Sequence, residues 1–344
     1  MNRQIVLISY TPLDAGGGVP RWNRDFVAGF PGTKHFSWWS IPGVEYEHPP
    51  VEWDAANGLG TWLHSTKNVS RDDIIIADGF WGERLSELGY NVISVAHGIW
   101  SHLTKEDVDA GKQAEFPIHN AHQVNHRRKH LGRGGKIVAV SDFIADQMWQ
   151  QWGFGSQVIN NAIDLKKFDE LPRLPSWLDE RLVIHGVTTA NKGFDHIDAV
   201  KQALPNDDVL LLDDAAKTYK LEKYTALKNA DLVVQPSAYE GNSYFVLETL
   251  ACDVPIVAYR VGLLYSISKI AKQHGIDACI GGLIDRKLRS PEETAKVTKF
   301  ILESVCRDRS QYNPRKVAEL FSIQRFHDEW KTYLEDYENA LSGR

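Results

Sequence analysis

Eleven short runs of aliphatic and β-branched residues recur along the chain, separated by stretches with helical spacing or by glycine- and proline-containing loops. They are QIVLIS (4–9), HFSWWS (35–40), DIIIADG (73–79), NVISVAH (91–97), KIVAVS (136–141) and QVINNA (157–162), then RLVIHGV (181–187), DVLLLDD (208–214), ADLVVQPS (230–237), PIVAYRV (255–261) and ACIGGLI (278–284). Several are apolar without alternation, so both faces of those strands must be covered. Parallel strands joined through crossover helices have this property, whereas a half-wetted antiparallel sheet would alternate. The order of the runs predicts a doubly wound α/β architecture. With 344 residues the chain exceeds one ordinary core, so two domains are expected. The break between them falls in NAIDLKKFDELPRLPSW (161–177), rich in proline and charge and poor in periodicity. QRFHDEWKTYLEDYENAL (324–341) reads as a charged amphipathic helix.

Composition removes several function classes. A formal charge of −6 argues against a dedicated nucleic-acid binder, though a local basic patch such as HRRKH (126–130), with Arg133 and Lys136, remains possible. The three cysteines, Cys252, Cys279 and Cys306, lie far apart without a CxxC pair. That argues against a disulfide framework or a zinc site and fits a reducing, cytoplasmic location. The N-terminal run is too short for a signal peptide, and no integral membrane segment is expected. The NVS sequon at Asn68 then carries no meaning. Two stretches, 44–72 and 99–134, read as irregular or mixed and are the expected acceptor or partner surfaces, since loops on a rigid scaffold carry specificity.

Three strand-to-helix junctions carry candidate chemistry. In SYTPLDAGGGVPRWNRDF (9–26) a strand ends, glycines follow, and a helix is expected to start near Val19 or Pro20. Glycines admit close backbone approach, and a helix N-terminus offers amides to an anion. In HGVTTANKGFDHI (185–197), Lys192 stands just before Gly193, where an ammonium could meet a phosphate. In ADLVVQPSAYEGNSYFVLETLACDVPIVAY (230–259), a strand ends in Pro-Ser and a helix begins with Ser243 or Asn242 as N-cap. Glu240 and Glu248 stand with seven residues between them, one in the loop and one in the helix. Carboxylates accept paired hydrogen bonds from vicinal hydroxyls, and the amides between the two could take a diphosphate. LLDD (211–214) reads as a sheet-edge turn rather than a metal motif.

This last stretch resembles the donor-site signature of retaining GT-B glycosyltransferases of family 4, in which an Ala-Asp strand, Pro-Ser, Glu-Gly and a second Glu precede a Pro-containing strand. VAVSDFIADQMWQQWG (138–153) with VINNAIDLKKF (158–168), GVTTANKGFD (186–195), ISVAHG (93–98) and GGG (16–18) resemble further family segments, in order, over roughly 4 to 340. The resemblance implies two Rossmann-like domains facing a central cleft: an acceptor-side domain over 1–162, a nucleotide-sugar-binding domain over 163–323, and a C-terminal helix over 324–344 that crosses back. Carried over, Glu240 and His97 become the catalytic residues: Glu240 contacts the donor sugar near its reacting carbon, and His97 lines the sugar pocket. Glu248 holds the ribose. Lys192 neutralises the diphosphate, helped by amides at Asn242, Ser243 and Tyr244 and at Gly17 and Gly18. The implied reaction is metal-independent, with no cofactor beyond a UDP- or GDP-linked sugar as donor substrate. The acceptor is unidentified and could be a saccharide, a lipid-linked glycan or modified DNA.

The sequence departs from the family at Val187, where an arginine is usual, leaving Arg21, Arg24 or Arg260 to replace that charge. It departs also at Asn161-Ala162, where Asn-Gly is usual, at Asp253, often a glycine, and in a shortened stretch from Asp213 to Leu227. Two other readings stay open at this point: a phage-type enzyme glycosylating hydroxymethylated DNA bases, and a degenerate member that binds nucleotide sugar without transfer.

Overall fold

Each predicted strand runs parallel to its neighbours, and the alternating direction of side chains along a strand decides which residues meet which helix layer. The computed structural model describes residues 3–43, 52–79, 81–98, 129–132, 134–174, 181–186 and 192–343. The chain divides into two units, Met1–Asn160 with Phe326–Arg344, and Asn161–Arg325.

The first unit carries β1 (Ile5–Ser9), β2 (Lys34–Ser37), β3 (Ile74–Asp78), β4 (Asn91–Ala96), β5 (Lys136–Ala139) and β6 (Gln157–Val158), all parallel in the order β2-β1-β3-β4-β5-β6. Val6, Leu7, Ile8 and Ile74 to Ala77 are wholly buried, as unbroken apolar strands in a covered sheet must be. Its helices include α1 (Gly18–Gly29), α2 (Glu52–Ser65) and α3 (Asp142–Trp152). Ser141 caps α3 by accepting from the Ile144 amide at 3.3 Å, and Gly153 ends it in the left-handed conformation. The final helix, Ile323–Leu341, buries Phe326, Trp330, Leu334 and Tyr337, a four-four-three spacing that puts them on one face. Trp330 meets Trp22 and Phe26 of α1 with ring centroids 5.6 and 5.1 Å apart. Burying each such ring contributes on the order of 2–3 kcal/mol.

The second unit carries β7 (Leu182–His185), β8 (Asp208–Leu211), β9 (Leu232–Gln235), β10 (Ile256–Tyr259) and β11 (Gly281–Ile284), all parallel in the order β11-β10-β9-β7-β8. Leu182, Ile184, Val233, Ile256 and Ala258 face a layer that includes Val246, Leu247 and Leu250. The alternate residues Val183, Leu232, Val234, Val257 and Tyr259 face the opposite layer with Val200, Ile301 and Leu302. The period of two thus partitions the strands between two cores. The helices labelled below are α4 (Ile197–Ala203), α5 (Leu212–Thr218), α6 (Lys223–Lys228), α7 (Tyr244–Ala251), α8 (Ile267–Gln273) and α9 (Pro291–Arg307).

Four local readings change. LLDD is not a turn, because β8 stops at Leu211 and α5 begins at Leu212, placing Asp213 and Asp214 in a first helical turn that favours acids. The described part of 44–72 contains α2 rather than irregular chain, and its Gly58 lies against the Trp38 ring, where an added Cβ would come within 3.1 Å. After β2 the chain tightens into a 3₁₀ turn at Trp38–Ser40 instead of extending the strand. Helix α1 begins at Gly18 with Gly17 as N-cap, ahead of Val19.

Asp253 has φ +59°, the left-handed region that a side chain enters at a cost of roughly 1–2 kcal/mol. Its carboxylate lies 3.4 Å from Arg173 and 3.2 Å from Arg309, and accepts from the Arg315 amide at 3.1 Å. These partners offset the strain. Asp253→Gly, which loses the pairs and relieves the backbone, should therefore leave stability within about 1 kcal/mol of wild type, while Asp253→Ala, which keeps the strain, should lose about 1–2 kcal/mol. Chemical unfolding of the two variants checks this, and equal losses would mean the backbone conformation is not the reason.

Candidate functional site

In the second unit the strand order reverses between β7 and β9, so the segments leaving those two strands go to opposite faces and open a crevice at the carboxyl edge. From β7 the described chain resumes at Lys192. Gly193, at φ +87°, lies so close to Pro236 that an added Cβ would come within 2.5 Å of its carbonyl oxygen. This contact seats the loop after β7 against the loop after β9. Lys192 Nζ then stands 2.6 Å from Glu240 Oε1. The same oxygen accepts from Ser237 Oγ at 2.8 Å and Gln235 Nε2 at 3.2 Å. Glu240 is almost buried, its side chain 10% exposed, a burial that a carboxylate tolerates only with charged and hydrogen-bonding partners.

Beyond Glu240 the chain turns into α7. Ser243 is the N-cap and accepts from the Val246 amide at 3.4 Å, so Tyr244 opens the helix. Asn242 is buried, and its carbonyl accepts from Asn161 Nδ2 at 2.9 Å, which ties the turn to the segment entering this unit. Glu248 lies one turn further and is buried, not on a solvated face. Its Oε1 accepts from Tyr224 Oη at 3.0 Å. A cavity of about 490 Å³ opens beside it, lined by Gly186, Leu212, Tyr224, Phe245 and Glu248 with Asp213, Asp214, Lys217 and Lys223. Tyr224, Phe245 and Leu212 offer apolar surface to a planar ligand, and the five charged side chains around them offer partners for its polar groups. Lys223 pairs with Asp213 at 2.9 Å and holds that carboxyl below the usual carboxylate range.

Sequence reasoning missed Gln235, Ser237, Tyr224 and Gly262. The last has φ +56° and packs under the site, where an added Cβ would meet Glu240 Cβ at 2.9 Å. Its only sequence signal was a glycine soon after a strand.

In the first unit, Gly17 caps α1 with φ +107° and Gly18 begins the helix. Trp22, one turn on, meets the His97 ring edge-on with centroids 5.2 Å apart. His97 follows β4, and its Nε2 stands 3.5 Å from Asp78 Oδ1 at the end of β3. Burial pushes its pKa down to about 3, so the ring is neutral at physiological pH and the Asp78 contact is not an ion pair. The six predicted site residues Lys192, Glu240, Asn242, Ser243, Tyr244 and Glu248 therefore share one sheet edge of the second unit, and Gly17, Gly18 and His97 share an edge of the first.

Val187 and residues 126–128 and 133 lie outside the described residues. In the described part of the basic run, Lys129 stands 3.7 Å from Glu87, while buried His130 contacts Ser86 Oγ at 3.1 Å and the Lys136 carbonyl at 2.9 Å. Arg24 is bound to the carbonyls of Leu13 and Ala15.

Residues 167–295 match the family profile described as Glycosyl transferases group 1. A comparison with curated proteins gives no match. Among solved structures, the chain is similar to sucrose-phosphate synthase from Thermosynechococcus elongatus at 14% identity and a TM-score of 0.71, covering 98% of this chain and 100% of that one. It is similar to Anabaena HepE in complex with UDP-glucose at 15% identity and 0.66, covering 97% and 100%. It is also similar to WaaG, a glycosyltransferase involved in lipopolysaccharide biosynthesis, at 13% identity and 0.63, covering 94% and 98%. At such identities the likeness is one of fold: two parallel-sheet α/β units of the GT-B type.

Two outcomes follow from this geometry. Gly262→Ala forces both a left-handed alanine and a displaced Glu240, so binding or turnover at the second-unit site should fall at least tenfold, with about 1–3 kcal/mol lost in stability; unchanged behaviour in both would show that Gly262 does not support Glu240. For His97, the native pKa of about 3 lies below the roughly 6.5 of an exposed histidine. The unfolded chain therefore binds the proton more tightly, and stability is lost as pH falls from about 6.5 toward 3. Urea midpoints should drop between about pH 7 and pH 4.5, and drop less in His97→Asn; parallel curves would rule out a buried neutral ring.

Proposed function

We propose that this chain is a GT-B glycosyltransferase of the group 1 type, moving a sugar from a nucleoside diphosphate to an acceptor hydroxyl with retention of configuration. The observation that carries the reading is the convergence of Lys192, Glu240, the start of α7 and Glu248 on one carboxyl edge, within the segment matching the group 1 profile. The cavity beside Glu248 receives the nucleoside, and Glu248 accepts the ribose hydroxyls. The amides opening α7 and the Lys192 ammonium take the diphosphate, where helix dipole and point charge add. Glu240 accepts from the donor sugar's hydroxyls.

Catalysis in this reading is electrostatic. As the bond to the leaving diphosphate lengthens, positive charge grows on the sugar ring and negative charge on the diphosphate oxygens. Glu240 faces the first and Lys192 with the helix start faces the second. The departing diphosphate accepts the proton of the incoming acceptor hydroxyl, so the nucleophile arrives on the face the leaving group vacates and configuration is retained. Lysine and helix terminus supply the charge that a metal would otherwise bring, which makes the reaction metal-independent. His97, neutral and beside Asp78, orients the acceptor or the sugar by hydrogen bonding rather than by charge.

A UDP-linked donor is supported by the similar Anabaena structure that holds UDP-glucose; a GDP-linked donor fits the same chemistry. Of the acceptors, a saccharide or lipid-linked glycan is favoured over modified DNA by the formal charge of −6. Among the described residues, no helix is long and apolar enough to cross a membrane. The three cysteines are free, which suits a reducing, cytoplasmic setting.

Thermal-shift screening against UDP, GDP and ADP and their sugars tests the reading, because a ligand that binds the native state raises its melting temperature. At least one nucleotide should stabilise the protein. Glu248→Ala and Lys192→Ala should each weaken that nucleotide at least tenfold, and Glu240→Gln should lower transfer by about a hundredfold or more while nucleotide binding persists. Tight donor binding without release of nucleoside diphosphate would replace transfer by binding alone, and no stabilisation by any nucleotide would defeat the proposal.

A further inference from the structure

Glu240 has a lopsided set of partners. Ser237 Oγ at 2.8 Å, Gln235 Nε2 at 3.2 Å and Lys192 Nζ at 2.6 Å all meet Oε1, and among the described residues no bond reaches Oε2. Gln235 Nε2 also lies 2.9 Å from Ser237 Oγ, so the amide and the hydroxyl brace each other. The amide nitrogen must be the group turned toward the carboxylate, since its oxygen there would set acceptor against acceptor. Gln235 and Ser237 are 4% and 1% exposed, one closing β9 and the other two residues on, so both are fixed by the sheet. Lys192 differs: its side chain is 35% exposed and its long stem can swing. One carboxylate oxygen has two lone pairs in its plane, so three donors are one too many for ideal geometry. The mobile one is the one that can leave.

We infer that Gln235 and Ser237 are positioning residues that hold Glu240 through Oε1, so that Lys192 can exchange from that oxygen onto an incoming diphosphate while Oε2 stays open to the donor's hydroxyls. This rests on the nucleotide-sugar reading given above. Before binding, the lysine neutralises a nearly buried carboxylate. After it, the ammonium lies between two anions, and the two neutral donors keep Glu240 in place. Nucleotide capture is thereby coupled to sugar recognition through a single cation, with no rearrangement of the backbone.

The test compares Gln235→Leu, Ser237→Ala and Ser237→Thr with wild type, using UDP and GDP alone as probes and the nucleotide sugar that wild type turns over. The expected result is a KM-against-kcat split: nucleotide affinity within about twofold of wild type, and kcat lower by roughly ten- to a hundredfold for each lost donor. Ser237→Thr, which keeps the hydroxyl, should recover most of the rate. Full kcat in Gln235→Leu and Ser237→Ala would overturn the inference, as would loss of nucleotide affinity in parallel with kcat in both. If wild type binds neither nucleotide, the nucleotide-sugar reading falls and this inference with it; if wild type binds and transfers but the variants match it, only the inference falls.

Discussion

A parallel sheet covered on both faces leaves no room for chemistry except at its strand ends, and everything functional here follows from that restriction. Apart from His185 and Gln235 at their ends, side chains along β7, β9 and β10 are committed to one apolar layer or the other. The residues that can meet a polar ligand are those at and just past the strand ends, and the reversal between β7 and β9 sends the helices that follow them to opposite faces. Lys192 and Glu240 come from those two loops, and Gly193 seated on Pro236 sets the distance between them. The electrostatic arrangement is thus downstream of packing: a β-carbon in the wrong place would separate the charges before any charged residue was altered.

The strands were legible in the sequence because both-face burial leaves a run of aliphatic residues that little else produces. Their ends were not. The passage from DVLL into LDDA reads equally as strand-then-turn or strand-then-helix, and only the acids' preference for a first helical turn separates the two. Helix α2 hid behind its glycines, which lower local propensity but allow close approach to neighbouring side chains. In the site, the ends of the Glu240–Glu248 segment and the Ser243 cap could be read from spacing and cap chemistry. The burial of Glu248 could not, because Tyr224 and the cavity wall come from a different part of the chain. Gln235 and Ser237 looked like a strand end and a turn residue. Their role depends on three side chains converging on one oxygen, which no linear pattern encodes.

Low identity to the similar structures is consistent with this division of labour. Layered α/β units need apolar residues of the right period, a condition many sequences meet, so fold persists at 13–15% identity. Asp253 shows how an unfavourable residue is absorbed locally: a left-handed position that suits glycine is held by an aspartate whose carboxylate gathers Arg173, Arg309 and the Arg315 amide.

The final helix gives the first unit a peculiar relation to the order of synthesis. Phe326 and Trp330 complete the aromatic cluster around Trp22 and Phe26, so the first unit is finished only by residues that follow the second unit in sequence. The second unit, residues 161–325, is contiguous and has its whole sequence available earlier. During synthesis the α1 face that meets Trp330 has no partner until residues beyond 325 have been made. The aromatic seal therefore links the packing of α1 to residues that follow the whole of the second unit in sequence.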